Sequence, residues 1–201
     1  MRLVSWGLAS SLCIVVSALP LRAQDKSHGY EGGYAVPQSV VRGDTVAFCV
    51  SADQATIDLR IYRNGKTHQP LWTIEGVHVS KRTLPDSAYA IGCNWPVSCR
   101  WVIPRAWTPG VYSAEFTCKS GTQRIVFTVR AEESGSISPV LIVLASSTWQ
   151  AYNNFGGKSL YDFNSSWHHA ASSVSFNRPL AAGWDEGVPQ PVDPADQRGL
   201  G

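Results

Sequence analysis

The stretch richest in chemistry-bearing side chains is Ser146-Ser147-Thr148-Trp149-Gln150-Ala151-Tyr152-Asn153-Asn154-Phe155-Gly156-Gly157-Lys158-Ser159-Leu160-Tyr161. It crowds hydroxyl, amide and phenol groups into a short span, and Gly156-Gly157 permits a tight or left-handed backbone there. Ser146, Ser147 and Thr148 are residue types that serve as nucleophiles, but no G-x-S-x-G frame surrounds them. Capping the helix that follows is the better reading for these hydroxyls. His168-His169 has metal-ligating side chains, yet neighbouring residues point to different sides of a helix or a strand, which favours a surface pair. Asn164-Ser165-Ser166 has the form of a glycosylation acceptor.

A second constellation is sulfur. Of five cysteines, Cys13 lies in the N-terminal apolar run, leaving Cys49, Cys93, Cys99 and Cys118. An even number in an exported chain suits disulfides. There is no C-x-x-C, and no histidine lies beside them at ligand spacing, which argues against zinc. Three pairings are open. The favoured one is Cys93–Cys99, closing a short loop around Asn94-Trp95-Pro96. It leaves Cys49–Cys118, a long closure that would contribute roughly 4 kcal/mol in the chain-entropy account.

The elements that must position these groups are mostly β. Arg2, the apolar run from Leu3 to about Leu21 and small Ala23 have the order of a secretory signal, so residues 1–23 are expected to be cleaved and the protein secreted or periplasmic. Pro20 and Arg22 make this run too short for a membrane anchor, and no membrane partner is expected after cleavage. Residues 24–36 read as an exposed leading segment. Thr45–Val50, Thr56–Tyr62, Val111–Cys118 and Gln123–Arg130 read as strands, with Ile57, Leu59 and Ile61 on one face and Ile125, Phe127 and Val129 on another. Shorter strands are expected at Leu71–Ile74, Val77–Val79 and Trp101–Pro104, with turns at Asn64-Gly65 and Ser120-Gly121. Short strands punctuated every ten residues or so predict an Ig-like antiparallel β-sandwich over 37–131.

A polar linker, 132–138, is followed by a change of character. Val140–Ala145 is apolar without alternation, as in a strand buried on both faces of a parallel sheet, so residues 139–180 read as the beginning of an α/β domain. Residues 181–201 are rich in Ala, Gly, Pro and Asp and are expected to be a disordered tail. The 139–180 span is short of the roughly 100 residues such a domain needs, and the chain is expected to be truncated within it. A net charge of +2 with no charge block gives no footprint for nucleic acid. Eight Trp and seven Tyr suit either a β core or carbohydrate binding. Trp72, Trp95, Trp101 and Trp107 are the sugar-platform candidates, with core packing the favoured reading of them.

T-W-Q-A-Y-N-N-F-G-G-K-S-L-Y at 148–161 and V-S-F-N-R-P-L at 174–180 resemble the N,N-dimethylformamidase large (beta) subunit-like C-terminal-domain family. Ile57–Arg63 and Pro109-Gly110-Val111-Tyr112 resemble it more loosely. The resemblance implies a β-sandwich followed by a glutamine-amidotransferase-like α/β domain. It implies hydrolysis of an amide C–N bond at a mononuclear iron held by two tyrosinates and a glutamate, with a small amide as substrate. Tyr152 matches the first tyrosine and Tyr161 the second. No position here matches the glutamate, so an incomplete site and an ancestral rather than present activity are expected. The reading from another class is a secreted β-sandwich binding or adhesion module without catalytic activity, with carbohydrate as the partner.

Overall fold

The computed structural model describes residues 30–65, 69–133, 135 and 140–181. The expected signal peptide with its expected cleavage after Ala23, much of the expected linker and the expected tail from 182 onward lie outside the described residues.

The protein is mainly β. Eight strands form two sheets: β1 (Gly32–Val36), β2 (Ser39–Val41), β3 (Thr45–Ser51), β4 (Thr56–Arg63), β5 (Trp72–His78), β6 (Cys99–Val102), β7 (Gly110–Cys118) and β8 (Gly121–Arg130). The smaller sheet has the order β1-β3-β6 and the larger β2-β8-β7-β4-β5. All pairings are antiparallel except β2 with β8. Two short helices, α1 (Ala88–Ile91) and α2 (Ser146–Tyr152), complete the described elements together with one 3-10 turn at Ser166–His168.

The alternating strands bury the faces their patterns require. Ile57, Leu59 and Ile61 of β4 and Ile125, Phe127 and Val129 of β8 join Phe48, Val50, Tyr112 and Phe116 in one core between the sheets. Burying each such side chain contributes about 1.5–3 kcal/mol, so this shared core is the main source of stability. Leu71–Ile74 and Val77–Val79 belong to one strand rather than two. The register with β4 shifts between Ile57 and Leu59. Gly76, at φ +63°, donates its N–H to Asp58 Oδ1 at 3.0 Å, so the apparent break is a bulge. Residues 32–36, read as part of an exposed leading segment, instead form β1. Gly32–Ala35 are buried, and an added Cβ on Gly33 would stand 2.5 Å from Ile125 Cδ1. Only glycine lets β1 lie so close to β8.

A second, smaller apolar cluster gathers Tyr34, Cys49, Ala88, Cys93, Trp95 and Phe155. Tyr34 and Cys49 alternate with Ala35 and Phe48 along β1 and β3, so this cluster covers the outer face of the smaller sheet.

The expected disulfides are not present: Cys49, Cys93, Cys99 and Cys118 are all free thiols. Each expected pair is divided between the two clusters. Cys93 lies in the outer cluster and Cys99 against the core; Cys49 lies in the outer cluster and Cys118 in the core. Burial pushes the Cys93 thiol up to about 12 and the Cys99 thiol up to about 11, so neither is a ready nucleophile.

Val140–Ala145 does not form the doubly buried strand expected of it. Val140, Leu141, Ile142 and Val143 are 69–83 % exposed, and none of them lies in a strand among the described residues. A parallel strand buried in a sheet needs cover on both faces, and side chains this exposed do not have it.

Candidate functional site

The two stretches that carry the family resemblance meet around one side chain. Arg178 is 1 % exposed. Its Nε donates to Ser175 O at 3.0 Å. Nη1 donates to Phe155 O at 2.6 Å and Lys158 O at 3.1 Å. Nη2 donates to Gln150 O at 3.1 Å and Asn153 O at 2.8 Å. All five guanidinium N–H groups are thus used, each on a main-chain carbonyl. Burial lowers the Arg178 pKa to about 10, which leaves it charged at neutral pH.

This arrangement solves a local problem of the sequence. A helix leaves its last carbonyls without intrahelical partners, and α2 ends in the protein interior. Trp149 O accepts from Asn153 N, Gln150 O from Arg178, Ala151 O from Leu160 N, and Tyr152 O from Asn164 Nδ2. Asn153, fully buried, closes the loop. Its Nδ2 donates to Gln150 Oε1 and Pro179 O, and its Oδ1 accepts from Phe155 N and Ala181 N. Phe155 then plugs into the outer cluster, edge-on to Tyr30 and Trp95. Gly156 (φ +84°) lets the following turn press on α1, where a Cβ would stand 3.0 Å from Tyr89 N.

The predicted tyrosines are brought together. Tyr152 and Tyr161 stack with centroids 4.2 Å apart and planes at 22°, with Phe163 beside both. A hydrogen bond with the Tyr152 phenol raises the Tyr161 pKa. The residues do not fit the iron that the resemblance implied. Among the described residues no group of three or more His, Cys, Asp and Glu side chains could hold a metal ion. The raised Tyr161 pKa favours its neutral phenol, whereas a ligand set for iron requires phenolates supported by a carboxylate or imidazole. The iron expectation is therefore corrected.

The remaining candidates are dispersed. Trp95 is buried with Nε1 on Thr83 O, and Trp101 and Trp107 pack on each other and on the core. Trp72, on edge strand β5, is 55 % exposed. His168 and His169 are exposed. Ser146, Ser147 and Thr148 open α2 without a side-chain cap bond. Asn164 spends its amide on Tyr152 O and Ser159 Oγ, as an internal strut.

One cleft, of about 290 Å³, lies between the two-sheet body and this clamped segment. β2 pairs only with Thr128–Arg130 of β8. The preceding part of β8 is therefore a sheet edge, and it forms the floor with β1. Ile142, Leu144, Ser146, Trp149 and Leu180 form the opposite wall, with Gln38, Arg124 and Arg130 as polar groups at the floor. Arg124 Nε bonds Glu115 Oε1 at 2.7 Å. Gln38 Nε2 donates to Phe176 O at 2.9 Å and ties the two walls together.

The profile of the family described as N,N-dimethylformamidase beta subunit-like, C-terminal, matches residues 56–197. The chain belongs to this family. No curated protein and no solved structure matches it. The family match begins at the first residue of β4 and includes the whole Arg178-centred unit. Arg178 and Asn153 were legible as members of the motifs but not as its hub. The available signal was an arginine with no acidic residue anywhere in Val174–Leu180.

Proposed function

We propose that this family member is an exported binding module that holds a small organic ligand in the cleft between β8 and α2 without hydrolysing it. The observation that supports this reading is the cleft itself. Its volume lies near the lower end of small-molecule sites, roughly 300 Å³, and such sites combine an apolar lining with a few polar groups as this one does. The family-specific residues form its wall, while the two tyrosines face each other instead of assembling a reactive centre. Under this reading the sheets are an immunoglobulin-like sandwich, and residues 140–181 correspond to the opening of a glutamine-amidotransferase-like domain. Small amides, the substrates named by the family, and sugars are the first ligand chemistries to try.

The test joins binding to turnover. Titration of small amides, sugars and short carboxylates followed by heteronuclear NMR should move the signals of Trp149, Thr128 and Gln38 first. Incubation with N,N-dimethylformamide should release no dimethylamine above the buffer rate. Release that disappears in Tyr152→Phe would overturn the non-catalytic reading, and shifts confined to surfaces away from the cleft would overturn its location.

A further inference from the structure

The cleft has a charge asymmetry that its size alone does not require. Three arginines line it, Arg124, Arg130 and Arg178, and no acidic residue does. Glu115 neutralises Arg124. Arg178 is different: its five bonds all end on carbonyl oxygens, which stabilise a cation by their dipoles but leave its full charge in place. A buried charge without a counter-ion is costly, and in low dielectric its field reaches further than in water. Arg178 lines the cleft, and Arg130, an exposed residue, supplies a second cation to its lining. Opposite β8, which carries Arg130, stand Ile142, Leu144, Trp149 and Leu180, an apolar wall.

Resting on the binding reading above, we propose that the ligand of this cleft is an amphipathic carboxylate: a short acyl or aryl chain against Trp149 and Leu144, with its carboxylate at Arg130 in the field of Arg178. Arg178 itself has no N–H left to donate, so its part is electrostatic, and the direct partner is Arg130, with the bidentate geometry that guanidinium and carboxylate share. A neutral amide of the same length would gain the apolar contacts and lose the ionic ones.

The experiment compares octanoate with octanamide by isothermal titration calorimetry on the full chain. Octanoate should bind about tenfold more tightly than octanamide at low salt, the worth of one charge-assisted contact at a partly exposed site. Raising ionic strength should narrow that ratio. Arg130→Gln should abolish the preference, and Trp149→Ala should weaken both ligands. Equal affinity for the two ligands overturns the carboxylate assignment and leaves the cleft reading standing. Binding of neither overturns both. Preference for octanoate that survives in Arg130→Gln overturns the assignment as well, because the carboxylate would then sit elsewhere.

Discussion

Arg178→Met removes the guanidinium and keeps much of the apolar stem. Five carbonyls, those of Gln150, Asn153, Phe155, Lys158 and Ser175, then lose their donor in a buried setting. A hydrogen bond to a charged group contributes roughly 1.5–3 kcal/mol, and an orphaned buried acceptor costs about 1–3 kcal/mol. Even at the low end, the loss is on the order of 5 kcal/mol if the segment stays packed. The main apolar anchor holding this segment to the body is Phe155, whose burial stabilises by about 3 kcal/mol at most. The penalty exceeds the anchor, so the segment should release and let water reach the carbonyls. The inter-sheet core should survive, because no residue of 140–181 belongs to it. Hydrogen exchange separates the two. In Arg178→Met the amides of Asn153, Ser159 and Leu160 should lose their protection, while those of Val46–Val50 and Tyr112–Phe116 keep theirs. Arg178→Lys should fall between, since an ammonium has three donors at one point and cannot span five carbonyls. Protection at Asn153 and Leu160 within about threefold of the parent would refute the account, and Phe155→Ala serves as the control that the assay detects release.

Three further outcomes follow from the same geometry. Tyr152→Phe should lower the Tyr161 pKa toward its ordinary value of 10.0, because the hydrogen bond that raises it is gone; ultraviolet titration of the tyrosines reads this, and an unchanged Tyr161 would mean that the phenols do not interact. Burial works against ionisation of Glu31, but hydrogen bonds from Ser120 and from Asp53 N–H outweigh it and lower its pKa from 4.5 to about 2. Its stabilising contribution is therefore complete above pH 4.5 and is lost as pH falls toward 2; Glu31→Gln should flatten the acid limb of the stability curve in that window, and a parallel curve would count against the clasp. Gly156→Ala places a Cβ against α1 at a left-handed φ and should destabilise the segment by about 1–2 kcal/mol, read as faster exchange at Ser159 and Leu160 with no change in the core.

What the sequence made legible was what depends on period and on local chemistry. Ile57, Leu59 and Ile61, or Ile125, Phe127 and Val129, announce an inward face because a pleated strand sends alternate residues to opposite sides. The bulge at Gly76 was misread as a break, since one inserted residue resets the alternation. β1 was missed because Gly32-Gly33-Tyr34-Ala35 has the composition of a loop; its reason for being extended is the close approach of β8, a tertiary fact. The cysteine pairs failed for a related reason. Sequence distance suggested loops to close, whereas the outcome depends on which of the two apolar clusters each thiol joins, and each pair is divided between them. At the candidate site, the motif residues were visible in sequence and two of them, Tyr152 and Tyr161, do meet. The hub was not visible, because Arg178 acts through main-chain carbonyls that leave no trace in residue identity.

The contrast between residues 140–145 and 146–181 carries the functional argument a step further. Both parts come from the region expected to build a parallel sheet, yet only the second carries the buried polar network. Val140–Val143 keep most of their apolar surface exposed. The 146–181 segment is held chiefly by polar satisfaction: a buried cation, two buried amides and the accounted carbonyls of α2. Such a network is directional, so it fixes Trp149 and Leu180 relative to β8 where apolar packing alone would tolerate several arrangements. A cleft with one wall held in that way is pre-organised for a ligand, and pre-organisation reduces the ordering cost of binding. It follows that mutations in the hub should weaken ligand binding even though the hub has no donor left to offer. Loss of octanoate affinity in Arg178→Lys, which keeps the charge and loses the bonds, would show that wall geometry, and not the field alone, sets the affinity.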